Sequence, residues 1–346
     1  MEQKPNYYPN MNLVRYVLAF SVLLDHYNDL AHHSVPFVIA YKAVGAFFAF
    51  SGFLNYPGYF RHSTLRRYVA LRARRILPQY FFIILLCTFG LSAVSTLPLT
   101  EYLTHSGTWK YLAANSVFLT WLHPTLPGVF EGPEYVMSAV NGSLWTMKVE
   151  WCQFLSIPIV VWITRRFRLS SKKTAVAIIL LSMAYRFTFT WLYVTTGSEI
   201  YSILGRQIFG QMSYFYTGVL IYLCRDWFTR HLRSVFILSL CGYLLIDYVP
   251  YANIFLTPIA LSTLVLSISM YRRTPGFLRH RTNYSYYIYL FHFPLIQLCV
   301  CLGINALPTP VSLGFVVGCT LLLSIGADAL IRRLFPKPAP KRAGAA

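Results

Sequence analysis

Of 346 residues, 56% are hydrophobic and only 12% are charged, about half the charged fraction of an ordinary soluble domain, which together with long apolar runs excludes a soluble globular enzyme. The formal net charge of +19 would point to a nucleic-acid partner in a soluble chain. Here Lys and Arg collect in short linkers between the apolar runs, as cytoplasmic loops of membrane proteins require, and no nucleic-acid partner is expected.

About 20 apolar residues cross a hydrocarbon core. That ruler marks ten spans, near 12–31, 37–56, 76–95, 144–164, 174–195, 203–224, 234–250, 251–270, 284–305 and 311–331. The fold class expected is therefore an all-α integral membrane protein of about ten transmembrane helices. No small-residue cleavage site follows the first run, which reads as a span rather than a cleaved signal peptide. Linkers 57–75, 165–173, 225–233 and 271–281, with both termini, hold most of the 30 Lys and Arg. The alternate linkers hold Lys110 and Arg206 beside Glu101, Glu131, Glu134 and Glu199. The positive-inside rule then places both termini in the cytoplasm.

One outer linker, 96–143, is long and rich in Thr, Pro, Gly and aromatics. No internal repeat is visible. The chain reads as a single polytopic membrane domain over 1–336 and a short, Pro-rich, disordered cytoplasmic tail over 337–346. Cys87, Cys152, Cys224, Cys241, Cys299, Cys301 and Cys319 all lie in apolar runs or at their edges. No CxxC or His/Cys spacing is present, so neither disulfides nor a bound metal is expected.

Ionisable groups inside spans are costly and mark functional candidates. The first span, "LVRYVLAFSVLLDHYNDLA" at 13–31, carries Arg15, Asp25, His26 and Asp29. Arg15 and His26 are eleven residues apart, about 1100° of helical rotation, so they share a face about 16 Å apart along the axis. Asp29, one turn beyond, is placed to orient the imidazole. Alone, His26 is equally readable as a core histidine satisfied by a neighbour; the shared face with Arg15 favours function. Asp25 points elsewhere. In "LRARRILPQY", residues 71–80, Arg72 and Arg75 lie on one face at the cytoplasmic entry to the third span. Two guanidinium forks suit a phosphate-bearing ligand, although by spacing alone they read more simply as topogenic arginines.

The fourth span opens "GSLWTMKVEWCQFLSIP", where Ser143, Thr146, Glu150 and Gln153 recur at helical spacing as one polar stripe. Glu150 reads either as a site carboxylate or as the partner of Lys42, Lys148 or Arg186. In "YSYYIYLFHFPLI", Ser285, Tyr289 and His292 share a face, and Pro294 frees a backbone carbonyl nearby. His292 taken alone is more simply a packed polar group.

Five motifs in order resemble one family. They are R-x10-H in the first span, "FFAFSGFL" closing the second, "RARRILP" opening the third, "SLWTMKVEWCQF" in the fourth and "YIYLFHFPL" in a late span. Together they resemble the acyltransferase family 3 membrane proteins, which O-acylate cell-envelope and secreted glycans. The resemblance runs from residue 11 to about 295. It implies a ten-helix core in the bacterial inner membrane, an acyl-coenzyme A donor on the cytoplasmic side and an extracytoplasmic carbohydrate or glycolipid acceptor. It implies no permanently bound cofactor, since acyl-coenzyme A, acetyl by default, is a co-substrate. Residue by residue, His26 takes the place of the family's essential histidine and Arg15 that of the preceding arginine. Arg72 and Arg75 match the paired arginines, and Glu150 matches the glutamate of the Trp-containing motif. Thr146 stands where Ser is more usual, and Lys148 and Cys152 are unusual there.

The mechanism expected on this resemblance docks the coenzyme A phosphates at Arg72 and Arg75, helped by Arg15. His26 is the general base toward an acceptor hydroxyl. Transfer is direct or through an acyl-histidine, with Glu150 positioning the acceptor, orienting His26 or holding a cation. Ser143, Thr146, Tyr289 and His292 are further cavity candidates. The alternative class is a polytopic transporter that uses intramembrane Arg, His and Glu as a substrate or proton relay, against which the lack of repeat symmetry counts.

Overall fold

The computed structural model describes residues 8, 10–36, 40–61, 64–249, 251–271 and 283–336. Among these residues it is all helical, without strands. Residues 272–281 of the linker 271–281, the tail 337–346 and residues 37–39 of the second expected span lie outside the described residues.

In chain order the helices are α1 (Met11–Ala31), α2 (Ala40–Phe60), α3 (Leu65–Leu85), α4 (Leu99–Thr104), α5 (Ser106–Ser116), α6 (Trp145–Arg166) and α7 (Ser171–Thr196). There follow α8 (Glu199–Gly205), α9 (Ile208–Leu223), α10 (Arg225–Arg230), α11 (Leu232–Leu245), α12 (Ala252–Met270), α13 (Ser285–Cys301) and α14 (Thr309–Leu334). Each of the ten apolar stretches read from the sequence carries one of these helices. Four helical runs are long and apolar enough to cross a membrane: Leu65–Val94, Ser171–Thr196, Ala252–Met270 and Thr309–Leu334. The protein is a membrane protein. Helices α9, α11 and α13 are shorter, at 16, 14 and 17 residues, and α1 and α6 carry ionisable residues within their apolar sequence.

Several expected linkers are not plain loops, 225–233 among them, which carries α10. The basic segment 57–75 is helical up to Phe60 and again from Leu65; Leu, Ala and Arg, which fill the second stretch, are strong helix formers, and hydropathy measures depth in the membrane rather than helicity. The long segment 96–143 carries α4 and α5 and folds back along α3. The Tyr102 hydroxyl donates to the Thr88 carbonyl at 2.7 Å. The Tyr80 hydroxyl donates to the Asn115 carbonyl at 2.7 Å, and Tyr80 stacks on Phe118 with centroids 4.5 Å apart. Thr88 and Tyr80 are eight residues apart, about 12 Å along a helix. The segment therefore descends beside α3 to the middle of that helical run instead of lying beyond its end. Asn115 holds the turn there by donating to the Tyr111 and His123 carbonyls.

The chain divides into two compact units of interleaved segments. The first comprises residues up to Asp25, Val35–Val69 and Leu144–Asn283. Its centre is the packing of α2 on α9, made close by small residues: a Cβ on Gly52 would collide with the Phe215 carbonyl, and one on Gly218 with the Ala49 carbonyl. Ser182 ties α7 to α9 by donating to the Phe209 carbonyl at 2.6 Å while accepting from the Ser213 amide at 2.8 Å.

The second unit comprises His26–Ser34, Ala70–Ser143 and residues from Tyr284 onward. Here α13 packs on α14, and segment 137–143 lies along α13 as a strap. Gln297 donates to the Met137 and Ala139 carbonyls at 2.7 and 3.2 Å. The end of α1 is held to the start of α14 by Tyr27, whose ring stacks on His33 at 5.0 Å and whose hydroxyl bonds Ser312.

Candidate active site

The apolar α13 turns a histidine inward at mid-helix. His292 is fully buried, and its Nδ1 lies 3.1 Å from the Ile288 carbonyl one turn earlier. Its Nε2 faces two groups from elsewhere in the same unit: His26 Nδ1 at 2.8 Å and the Ser143 hydroxyl at 3.3 Å. The two imidazoles are nearly parallel, 18° between planes, with centroids 5.1 Å apart. His26 is half-buried, and its Nε2 takes no hydrogen bond from the described residues.

The strap delivers Ser143. Pro294 has no N–H to offer the Leu290 carbonyl, and that carbonyl accepts from Asn141 Nδ2 at 2.9 Å. Asn141 Oδ1 in turn accepts the Ser143 amide at 3.2 Å, and the Tyr289 hydroxyl donates to the Ser143 carbonyl at 3.2 Å. Between them Gly142 leaves room for Phe293: a Cβ there would stand 2.7 Å from that ring. Phe293 meets His26 edge-on, with centroids 5.2 Å apart. The backbone turn at 141–143 is thus fitted to α13 by three polar contacts and one missing methyl group.

Of the residues expected at the site, the structure brings together His26, His292, Ser143 and Tyr289. Ser143 is not part of a stripe along α6: it sits in the 3-10 turn Gly142–Leu144 ahead of that helix and turns to α13. Asp29 is exposed, and no hydrogen bond joins it to His26 among the described residues. The ring of His26 points at α13, where its Nδ1 meets His292. Arg72 and Arg75 lie within α3, half-buried and exposed respectively.

The remaining candidates belong to the first unit. Arg15 is half-buried on α1 with its guanidinium 5.7 Å from the Phe50 ring centroid. Glu150 is half-buried on α6 and accepts from the Ser51 hydroxyl at 3.0 Å. Gln153, one turn on, is fully buried and donates to the Gln211 carbonyl at 3.3 Å. Thr146 is buried. The motif "FFAFSGFL" acquires a physical reading: Phe50 faces Arg15, Ser51 holds Glu150, and Gly52 admits α9.

Sequence reasoning missed Asn141, Gly142, Phe293 and Ser51. A signal existed for Asn141, since a proline in a helix leaves a carbonyl that needs a donor. Nothing in the sequence paired Ser51 with Glu150, 99 residues away. Among the described residues no cluster of three or more His, Cys, Asp or Glu is arranged to hold a metal ion.

Residues 8–329 match the model of an acyltransferase domain family. The chain is 28% identical over 322 residues to nodulation protein 10 of Rhizobium leguminosarum bv. viciae, covering 85% of this chain and 84% of that protein. It is 21% identical over 307 residues to an O-acetyl transferase of Shigella phage Sf6, covering 83% and 84%. No solved structure matches. With nearly the whole chain matched and its ordered motifs in place, this membrane protein is an acyltransferase and belongs to acyltransferase family 3.

Proposed function

We propose that the enzyme transfers an acyl group, acetyl by default, from acyl-coenzyme A on the cytoplasmic side of a bacterial inner membrane to a hydroxyl of an extracytoplasmic carbohydrate or glycolipid. The observation that carries this reading is the state of His26: one ring nitrogen is held by a buried partner, and the other takes no hydrogen bond from the described residues. A neutral imidazole so held is a general base for a hydroxyl proton. The name of the phage relative, an O-acetyl transferase, supports acetyl transfer to oxygen.

In this reading the ten apolar helices all cross the membrane, with both termini in the cytoplasm. Arg72 and Arg75 bind the phosphates of coenzyme A through charge-assisted bonds. His26 takes the acceptor proton as the oxygen attacks the thioester carbonyl, and the thiolate leaves. Asp29 contributes negative charge one turn from His26.

The test is reconstitution in vesicles with radiolabelled acetyl-coenzyme A and a crude envelope-glycan extract, comparing the wild type with His26→Ala. Label is expected in glycan with the wild type and to fall by about 10²-fold or more in the variant, the usual range for a lost general base. Equal transfer by both proteins would reduce His26 to a structural role.

A further inference from the structure

We propose that His292 is a positioning residue that sets the tautomer of His26, so that Nε2 of His26 is the nitrogen free to accept a proton. The inference rests on the reading of His26 as general base and adds a second histidine to it.

The argument is one of proton counting. Two imidazole nitrogens 2.8 Å apart need one proton between them, since two lone pairs at that distance repel. His292 Nδ1 lies 3.1 Å from the Ile288 carbonyl, which can only accept, so the proton of a neutral His292 sits on Nδ1. Its Nε2 is then bare. The Ser143 hydroxyl at 3.3 Å is a donor to that same atom and cannot supply the proton on the line between the rings. That proton therefore belongs to His26 Nδ1, and the lone pair of His26 falls on Nε2. A neutral imidazole here does what a carboxylate does in the serine-hydrolase triads: it fixes tautomer and ring orientation, without placing a fixed negative charge in a buried site.

The step balances on His26 alone. The acceptor O–H proton passes to Nε2 as the oxygen bonds to the thioester carbonyl carbon. The C–S bond then breaks, and the departing thiolate takes the proton back from Nε2. The Nδ1 proton stays in its bond to His292 throughout.

The test compares the full-length wild type with His292→Phe, His292→Gln and His26→Ala in vesicles, using acetyl-coenzyme A and the glycan extract. In His292→Phe, kcat is expected to fall by about 10²-fold, with KM for acetyl-coenzyme A unchanged. His292→Gln, whose amide oxygen accepts from His26 Nδ1, is expected to recover most of the loss. Full activity in His292→Phe beside an inactive His26→Ala would overturn this proposal and leave the reading of His26 intact. Equal losses in the Phe and Gln variants, at unchanged melting temperature, would overturn it too. An active His26→Ala would instead remove the reading on which it rests. A measurement independent of folding variants is the 15N spectrum of histidine-labelled wild type minus that of His26→Gln. His26 protonated at Nδ1 is expected, and protonation at Nε2 would overturn the proposal.

Discussion

At the scale of single residues, the site depends on what is absent as much as on what is present. Gly142 lacks the methyl group that would press on Phe293, and Phe293 is the ring edge against which His26 rests. Gly142→Ala is therefore expected to push Phe293 toward His26 and lower kcat by about tenfold or more, since a displacement of about 1 Å at a catalytic group can cost 10²-fold. The donor KM should hold, because no arginine is touched. Steady-state kinetics in vesicles checks this, and a wild-type kcat would mean the strap yields rather than the ring. His26 and Ser143 were legible as candidates because polar residues in apolar stretches of sequence stand out. Their convergence on His292 was not, since a helical projection gives the face of a residue and not the neighbour opposite.

At the scale of elements, small residues and proline decide what can approach what. The α2–α9 contact requires glycine at 52 and 218, where any side chain would meet backbone of the facing helix. Gly218→Leu is expected to lower stability by about 1–3 kcal/mol, the usual cost of overpacking, seen as a reduced melting temperature in detergent. Gly314→Ala on α14, where nothing lies within 4 Å of the added carbon, is the control and should leave melting unchanged or slightly raised. Equal melting of both variants would show that α2 and α9 can part without loss. Helix positions were readable because 20-residue apolar runs are a strong signal. The basic start of α3 and the descent of 96–143 beside it were not, because the first is helical without being apolar and the second is fixed by Tyr80, Tyr102 and Asn115.

For the molecule as a whole, the distribution of Lys and Arg carries a claim about sidedness. On the proposed topology, with both termini in the cytoplasm, Lys172 at the start of α7 would face inward and Glu199 at the start of α8 outward; both are exposed. In a variant with the seven native cysteines replaced, Lys172→Cys should react with a membrane-impermeant maleimide only after permeabilisation. Glu199→Cys should react on intact cells. The reverse pattern would invert the topology and move His26 to the opposite leaflet. The two compact units divide the candidate residues, with His26, His292, Ser143, Tyr289, Arg72 and Arg75 in one and Arg15, Glu150 and Thr146 in the other.

The sequence by itself determined that the chain is helical, that it lives in a membrane, which family its ordered motifs match and which ionisable residues are costly enough to need a reason. These are properties of composition, period and local order, and each is carried by residues close together in the chain. Tertiary structure alone decided that His292, 266 residues from His26, rather than Asp29 at three, would hold the imidazole, and that Ser143 would leave the stripe of α6 for α13. Hydrogen-bond partners of a buried group are chosen by which helices pack together and at what register. No helical period encodes that choice.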